Sequence, residues 1–301
     1  MTYSIVARDP ETGRFGVAVQ SHYLGVGPVV PWLEAGVGAI ATQASVNVAF
    51  GPTGLELLRA GSSAEQVVAA LLAGDETPQV RQLGVVDAKG QAAAHTGTDT
   101  IPAAGHLVRD GFTVQGNLLA SDTCWPAMAA AYEEALSAGE PFVERLLRTL
   151  EAAEREGGDV RGRQSAAIMV VDASLQQAAW RGRLMDLRIE DHPDPVPELR
   201  RIVTVQLAYD LLNEEGDAAK AGASEDERYA EARRMAPDAY ELVFWMALEY
   251  AKRGDIGHAR REMAVAVAAD QSWRRTLEHL AQAGREGVTP ELANLLLQAD
   301  V

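Results

Sequence analysis

The chain has 301 residues, enough for two domains at the usual ~100 to 200 residues each, and its 47% hydrophobic and 23% charged residues are ordinary for a folded globular protein. A formal net charge of −16 disfavours nonspecific binding to nucleic acid or to an anionic membrane, and favours basic or neutral partners. The single cysteine, Cys124, excludes an intrachain disulfide and a multi-cysteine zinc site; with no basic-then-apolar leader ahead of Thr2 and no apolar run near the ~18 residues of a membrane span, a cytoplasmic protein is expected.

Residues 3–7 and 15–20 read as strands, and the turn formers Asp9, Pro10 and Gly13 between them make a β-hairpin with Thr2 at a strand tip. The breakers Gly25, Gly27, Pro28, Pro31, Gly36 and Gly38 predict a loop that returns into a strand over residues 39–43. Pro28 follows Gly25-Val26-Gly27 directly and the third glycine is missing, so this pair is a turn and not a dinucleotide fingerprint. Helical spacing marks residues 52–59 and 64–73, with Ser62 and Glu65 as a capping box for the second helix. Four short strands follow at 80–86, 91–95, 106–108 and 112–119, then helices at 123–137 and 141–156. A strand at 165–171 and a strand pair at 177–181 and 185–190 complete the pattern. Strands, two helices, strands, two helices, strands is the order expected of an α+β fold: two sheets face to face with a helix pair on each outer side, a four-layer αββα sandwich.

The prolines of His192-Pro193-Asp194-Pro195-Val196-Pro197 should continue neither strand nor helix, which divides the chain into domains 1–192 and 193–301. The second domain reads as all-α, with helices near 198–215, 224–235, 239–253, 256–270, 272–283 and 290–298. Tyr229 and Met263 lie 34 residues apart, as do Ala232 and Ala266, a large and then a small apolar residue in each pair. This resembles the tetratricopeptide repeat, degraded around Gly216 and limited to two units where about three make an independent array.

Thr2 stands where methionine removal would leave a hydroxyl nucleophile one bond from an α-amine whose ordinary pKa, about 7.7 to 8.0, suits general-base work near neutral pH. Polar clusters fall at the predicted strand ends, where loops converge: Gln20-Ser21-His22, Thr42-Gln43, His95-Thr96-Gly97, Gln115-Gly116-Asn117 and Arg161-Gly162-Arg163. Three further readings come from spacing: His22, His95 and His106 are not set out as helix-borne metal ligands, Cys124 reads as a buried small residue at a helix start, and Trp245 reads as core.

Several of these segments together, Thr2 to Asp9, Gly16 to Ser21, Ala41 to Ala44, Gly51 to Leu58, His95-Thr96-Gly97, Val114 to Asn117 and Asp186-Leu187-Arg188, resemble the bacterial family named domain of unknown function 1028, over residues 2–200. That resemblance implies an N-terminal-nucleophile (Ntn) hydrolase fold, in agreement with the element order, and a C-terminal extension that in some members is labelled peptidoglycan-binding. It further implies an amidohydrolase that needs no cofactor and acts on a small amide, cyclic amide or short peptide. Thr2 would be the nucleophile, Gly116 and Asn117 the oxyanion donors, and Ser21 and Gln43 the groups that orient it. His95, Arg161 and Arg163 would bind substrate, the arginines through a carboxylate. Threonine peptidases of this fold place an Asp and a Lys near those strand ends; here Ser21 stands there with no Lys nearby. The competing expectation is a noncatalytic scaffold whose helical domain binds protein or peptidoglycan fragments, and a homodimer is the default assembly.

Overall fold

The computed structural model describes residues 2–213 and 222–298. The chain divides between Arg200 and Arg201 into two compact units.

The first unit is a mixed α/β body with two antiparallel sheets. Strands β1 (Thr2–Arg8), β2 (Phe15–Ser21), β7 (Gly105–Arg109), β8 (Phe112–Asn117), β9 (Ser165–Val171) and β10 (Arg183–Ile189) make the larger, in the order β10-β9-β2-β1-β8-β7. The smaller runs β3-β4-β5-β6, from β3 (Pro31–Glu34), β4 (Gly38–Ala44), β5 (Arg81–Asp87) and β6 (Ala92–Thr96). Helices α1 (Phe50–Arg59) and α2 (Ala64–Ala73) pack on β3 to β6, while α3 (Cys124–Ser137) and α4 (Phe142–Arg155) pack on β1, β2, β7 and β8. The sheets touch through β1 and β2 against β4, and β8 against β5 and β6.

Strand alternation decides what lies between the sheets. Tyr3 faces α4, where its hydroxyl donates to the Glu154 carboxylate, and Val6 packs with Ala39, Ala41 and Val86 of the other sheet. Thr2 and Ser4 share the parity of Val6 and turn the same way.

The sequence expectations are corrected at several points. Residues 31–34, expected in a loop, form β3: its proline opens an edge strand, where a missing N–H leaves no ladder bond unmade. The capping box falls one residue later than expected, with Ser63 Oγ accepting from Gln66 N at 3.3 Å and Gln66 Oε1 accepting from Ser63 N at 2.9 Å. Of the final strand pair only β10 exists; residues 179–182 form a 3-10 turn instead. The four strands expected between residues 80 and 119 are all present, β5 and β6 in one sheet and β7 and β8 in the other. The proline tract, expected to continue neither strand nor helix, opens a helix, α5 (Pro195–Leu212), because first-turn N–H groups lack intrahelical acceptors and their loss costs little.

The second unit contains the end of α5 and α6 (Glu225–Met235), α7 (Tyr240–Lys252), α8 (Ile256–Ala269), α9 (Ser272–Ala283) and α10 (Pro290–Leu296). Its main core gathers Phe244, Ala247, Met263, Ala266, Leu277 and Leu296. Tyr229, Ala232, Met263 and Ala266, the residues that carry the 34-residue spacing, are all buried. Glu215 and Gly216 lie outside the described residues. Among the described residues no helix is long and apolar enough to cross a membrane.

Candidate active site at one end of the paired sheets

The β1 register sets Thr2 opposite Asn117 on β8 and Tyr3 opposite Gln20 on β2, so the ends of β2 and β8 flank the first residue of β1. Thr2 Oγ1 donates to Ser21 Oγ at 3.1 Å. Gln43, at the end of β4 in the facing sheet, donates through Nε2 to the Thr2 carbonyl at 3.2 Å, and Asn117 Nδ2 reaches the same oxygen at 3.4 Å. The structure therefore brings together Thr2, Ser21, Gln43, Gly116 and Asn117.

The residue that joins them was not singled out in the sequence. Gln82, fully buried at the start of β5, accepts at Oε1 from Gln43 Nε2 at 2.7 Å and from Asn117 Nδ2 at 2.8 Å. Two donors on that oxygen fix which way its amide points. Its Nε2 accordingly donates to the Gly116 carbonyl at 2.7 Å, Thr96 Oγ1 at 2.9 Å and the Gly105 carbonyl at 3.1 Å. The Gln43 amide is oriented in the same way, because its Oε1 accepts from Ser4 Oγ at 2.7 Å. Gln115 Nε2 donates to Ser4 Oγ at 2.6 Å, and Gln115 Oε1 accepts from Thr113 Oγ1 at 2.8 Å. Gly84 makes room for this layer: a Cβ there would stand 2.3 Å from Thr113 Oγ1 and 2.5 Å from Gln115 Oε1. In β8 polar residues alternate at Thr113, Gln115 and Asn117, but β5 carries no such pattern around Gln82.

Thr2 is 5% exposed and reaches solvent by a small cleft of about 70 Å³. Ser21, Gln43 and Ala44 line it with Tyr23, Val26, Val29, Val30 and Val46. Ala44 has φ 68°, a left-handed conformation unfavourable for a residue with a Cβ, where the chain leaves β4 for the loop that carries Val46. Asp75 ties that loop down, accepting from Asn47 Nδ2 at 2.9 Å and pairing with Arg81 at 3.1 Å. Burial alone would raise the Asp75 carboxyl, but donation by Asn47, the Thr77 amide and Arg81 outweighs it and brings the group down to about 2.

The remaining candidates lie elsewhere. His95 faces away from the polar layer and its Nε2 meets the Pro78 carbonyl at 3.1 Å, as expected one position from Thr96, whose hydroxyl faces inward. Arg163 is paired with Glu154 and, at 2.6 Å, with Asp194. Tyr3 shares Glu154, and burial followed by that charge raises its phenol. Arg161 is held by Asp159 at 3.1 Å, and the same carboxylate accepts from His22 N at 2.9 Å. Neither arginine lines the Thr2 cleft. Cys124 is buried and its thiol is pushed up by that burial. Trp245, expected in the core, is half-buried and lines a cleft of the helical unit, its Nε1 donating to Glu241 at 3.3 Å. Among the described residues no group of three His, Cys, Asp or Glu side chains is placed to hold a metal ion.

The profile of a family of unknown function, DUF1028, matches residues 2–199. The crystal structure of protein SPO2555 from Silicibacter pomeroyi, which carries the same family designation, is similar at 30% identity with a TM-score of 0.60, over 75% of this chain and 97% of that one. No curated protein matches the chain.

Proposed function

The chain belongs to the DUF1028 family, and from that premise we propose that it is an amidohydrolase of the N-terminal-nucleophile type, acting on a small amide, cyclic amide or short peptide. The observation that carries this reading is the Thr2 hydroxyl held by Ser21 at 3.1 Å on a cleft at the end of the paired sheets, with two side-chain amides converging on its own carbonyl. The fold proposed with it is the αββα sandwich of that class, which the packing of one helix pair on each sheet supports.

With Met1 removed, Thr2 Oγ1 adds to the substrate carbonyl carbon and its proton passes to the α-amine through a water. The amine returns the proton to the leaving nitrogen as the C–N bond breaks, and water then hydrolyses the Thr2 ester. Ser21 and Gln43 act as positioning residues. Asn117 is the oxyanion donor, since its 3.4 Å contact to the Thr2 carbonyl is long for a hydrogen bond and readily exchanged for one to a developing charge. Gly116, expected as a second donor through its backbone N–H, lies in a strand paired on both sides, with β1 and β7, and its carbonyl accepts from Gln82.

The test is intact mass spectrometry of the protein from its native host, followed by a screen of amide substrates with wild type and Thr2→Ala. Loss of Met1 and a fall in turnover of ~10³-fold or more in the variant are expected. Retained Met1, or undiminished turnover, overturns the reading.

One observation favours a second role for residues 201–301. A cleft of about 570 Å³ in the helical unit is lined by Tyr209, Tyr229 and Trp245 together with Glu225, Glu249 and Glu286, which supports an interaction module, for protein or for peptidoglycan fragments.

A further inference from the structure

A second cleft opens at the same end of the sheets, beside β6 and β7, and the Thr2 chemistry makes no use of it. Its volume is about 570 Å³, within the ~300 to 1,000 Å³ typical of small-molecule sites, and its walls include Thr96, Thr98, Gly105, His106, Asp122 and Trp125. It absorbs Thr96-Gly97, part of a sequence cluster that the nucleophile leaves unexplained.

The polar network fixes what this cleft offers. Thr96 Oγ1 accepts from Gln82 Nε2 at 2.9 Å and lies 2.8 Å from His106 Nδ1. The Thr96 hydroxyl thereby links the His106 ring to the buried polar layer. Burial, followed by the neighbouring His95, lowers the His106 pKa. His106 thus lines the cleft as a hydrogen-bonding imidazole, together with the Thr98 hydroxyl and the Asp122 carboxylate.

No arginine or lysine lines this cleft, so a phosphate or carboxylate ligand would meet Asp122 with no cation to offset it. Trp125 supplies an apolar wall. Its indole lies on the strand at Gly105, where a Cβ would stand 2.5 Å from the ring. We propose that this cleft binds a neutral polyhydroxylated ring, a sugar or cyclitol, with an apolar ring face on Trp125 and hydroxyls shared among His106, Asp122 and Thr98.

The experiment is a set of separate NMR titrations of the full-length protein with glucose, N-acetylglucosamine and myo-inositol, and with inorganic phosphate as the counter-probe. At least one of the three rings is expected to shift the Trp125 indole N–H saturably in the millimolar range, while phosphate does not. Which ring does so separates a sugar from a cyclitol. Asp122→Asn, a substitution at an exposed side chain, and Trp125→Leu should each weaken binding at least tenfold. Thr2→Ala should leave it unchanged, so failure of the amidohydrolase reading does not touch this one. No saturable shift with any of the three rings, unaltered affinity in Asp122→Asn, or preferential binding of phosphate overturns the proposal.

Discussion

The space between the two sheets has two halves of opposite chemistry. One is apolar, with Phe15, Val17 and Val19 of the larger sheet against Ala39, Ala41 and Val86 of the smaller. The other is a hydrogen-bonded layer of Ser4, Gln43, Gln82, Gln115 and Asn117, each almost wholly buried. The apolar half is stabilised by area removed from water and tolerates approximate shapes. The polar half is stable only while its donors and acceptors stay matched, so each member orients the next. The proposed nucleophile stands beside the second half, where directional hydrogen bonds supply the orientation that non-directional burial does not.

Breaking the apolar half should give the largest effect. Phe15 is 1% exposed, and Phe15→Ala is expected to cost about 3–5 kcal/mol in chemical denaturation while the side-chain amide signals of Gln43 and Asn117 stay in place. In the polar half, Gln82→Met keeps the volume but strands the donors of Gln43 and Asn117 and the carbonyl of Gly116. A loss of about 3 kcal/mol is expected, together with broadening of those two amide signals. That pairing of outcomes tests whether the halves fail differently.

How much of this was legible beforehand depends on distance along the chain. The hairpin that sets Thr2 at a strand tip uses neighbours within residues 2–21, and it appeared as expected. Gln82 was missed because its partners come from β4, β6, β7 and β8, and no local pattern tells a buried glutamine from a solvated one. His95 is expected at the site through the strand-end cluster and the family resemblance it shares with Thr96, yet adjacent residues of a strand face opposite ways.

Asp75 gives the next prediction. A carboxyl held near 2 in the fold and at 3.8 in the unfolded chain contributes stability that is fully present above about pH 4 and is lost as pH falls toward 2. Denaturation midpoints of wild type and Asp75→Asn should converge over that range, from a difference on the order of 2 kcal/mol at neutral pH. The smallest effect is expected at Ser21. Ser21→Ala removes the acceptor of the Thr2 hydroxyl at a cost of about 1 kcal/mol by chemical denaturation, and should lower turnover while the apolar half remains undisturbed.

By itself the sequence determined most of the elements and their order, β3 and the 3-10 turn at 179–182 excepted, because hydrophobic alternation, helical spacing and turn residues act over a few neighbours. It also specified a hydroxyl residue at position 2 and a strand to carry it. Only the tertiary structure decided which strand ends meet, that Gln82 holds Gln43 and Asn117 at the Thr2 carbonyl, and that Arg161 and Arg163 are occupied by Asp159, Glu154 and Asp194. Hydrogen bonds between sheets depend on register and facing, and these are fixed when the sheets pack rather than when each strand forms.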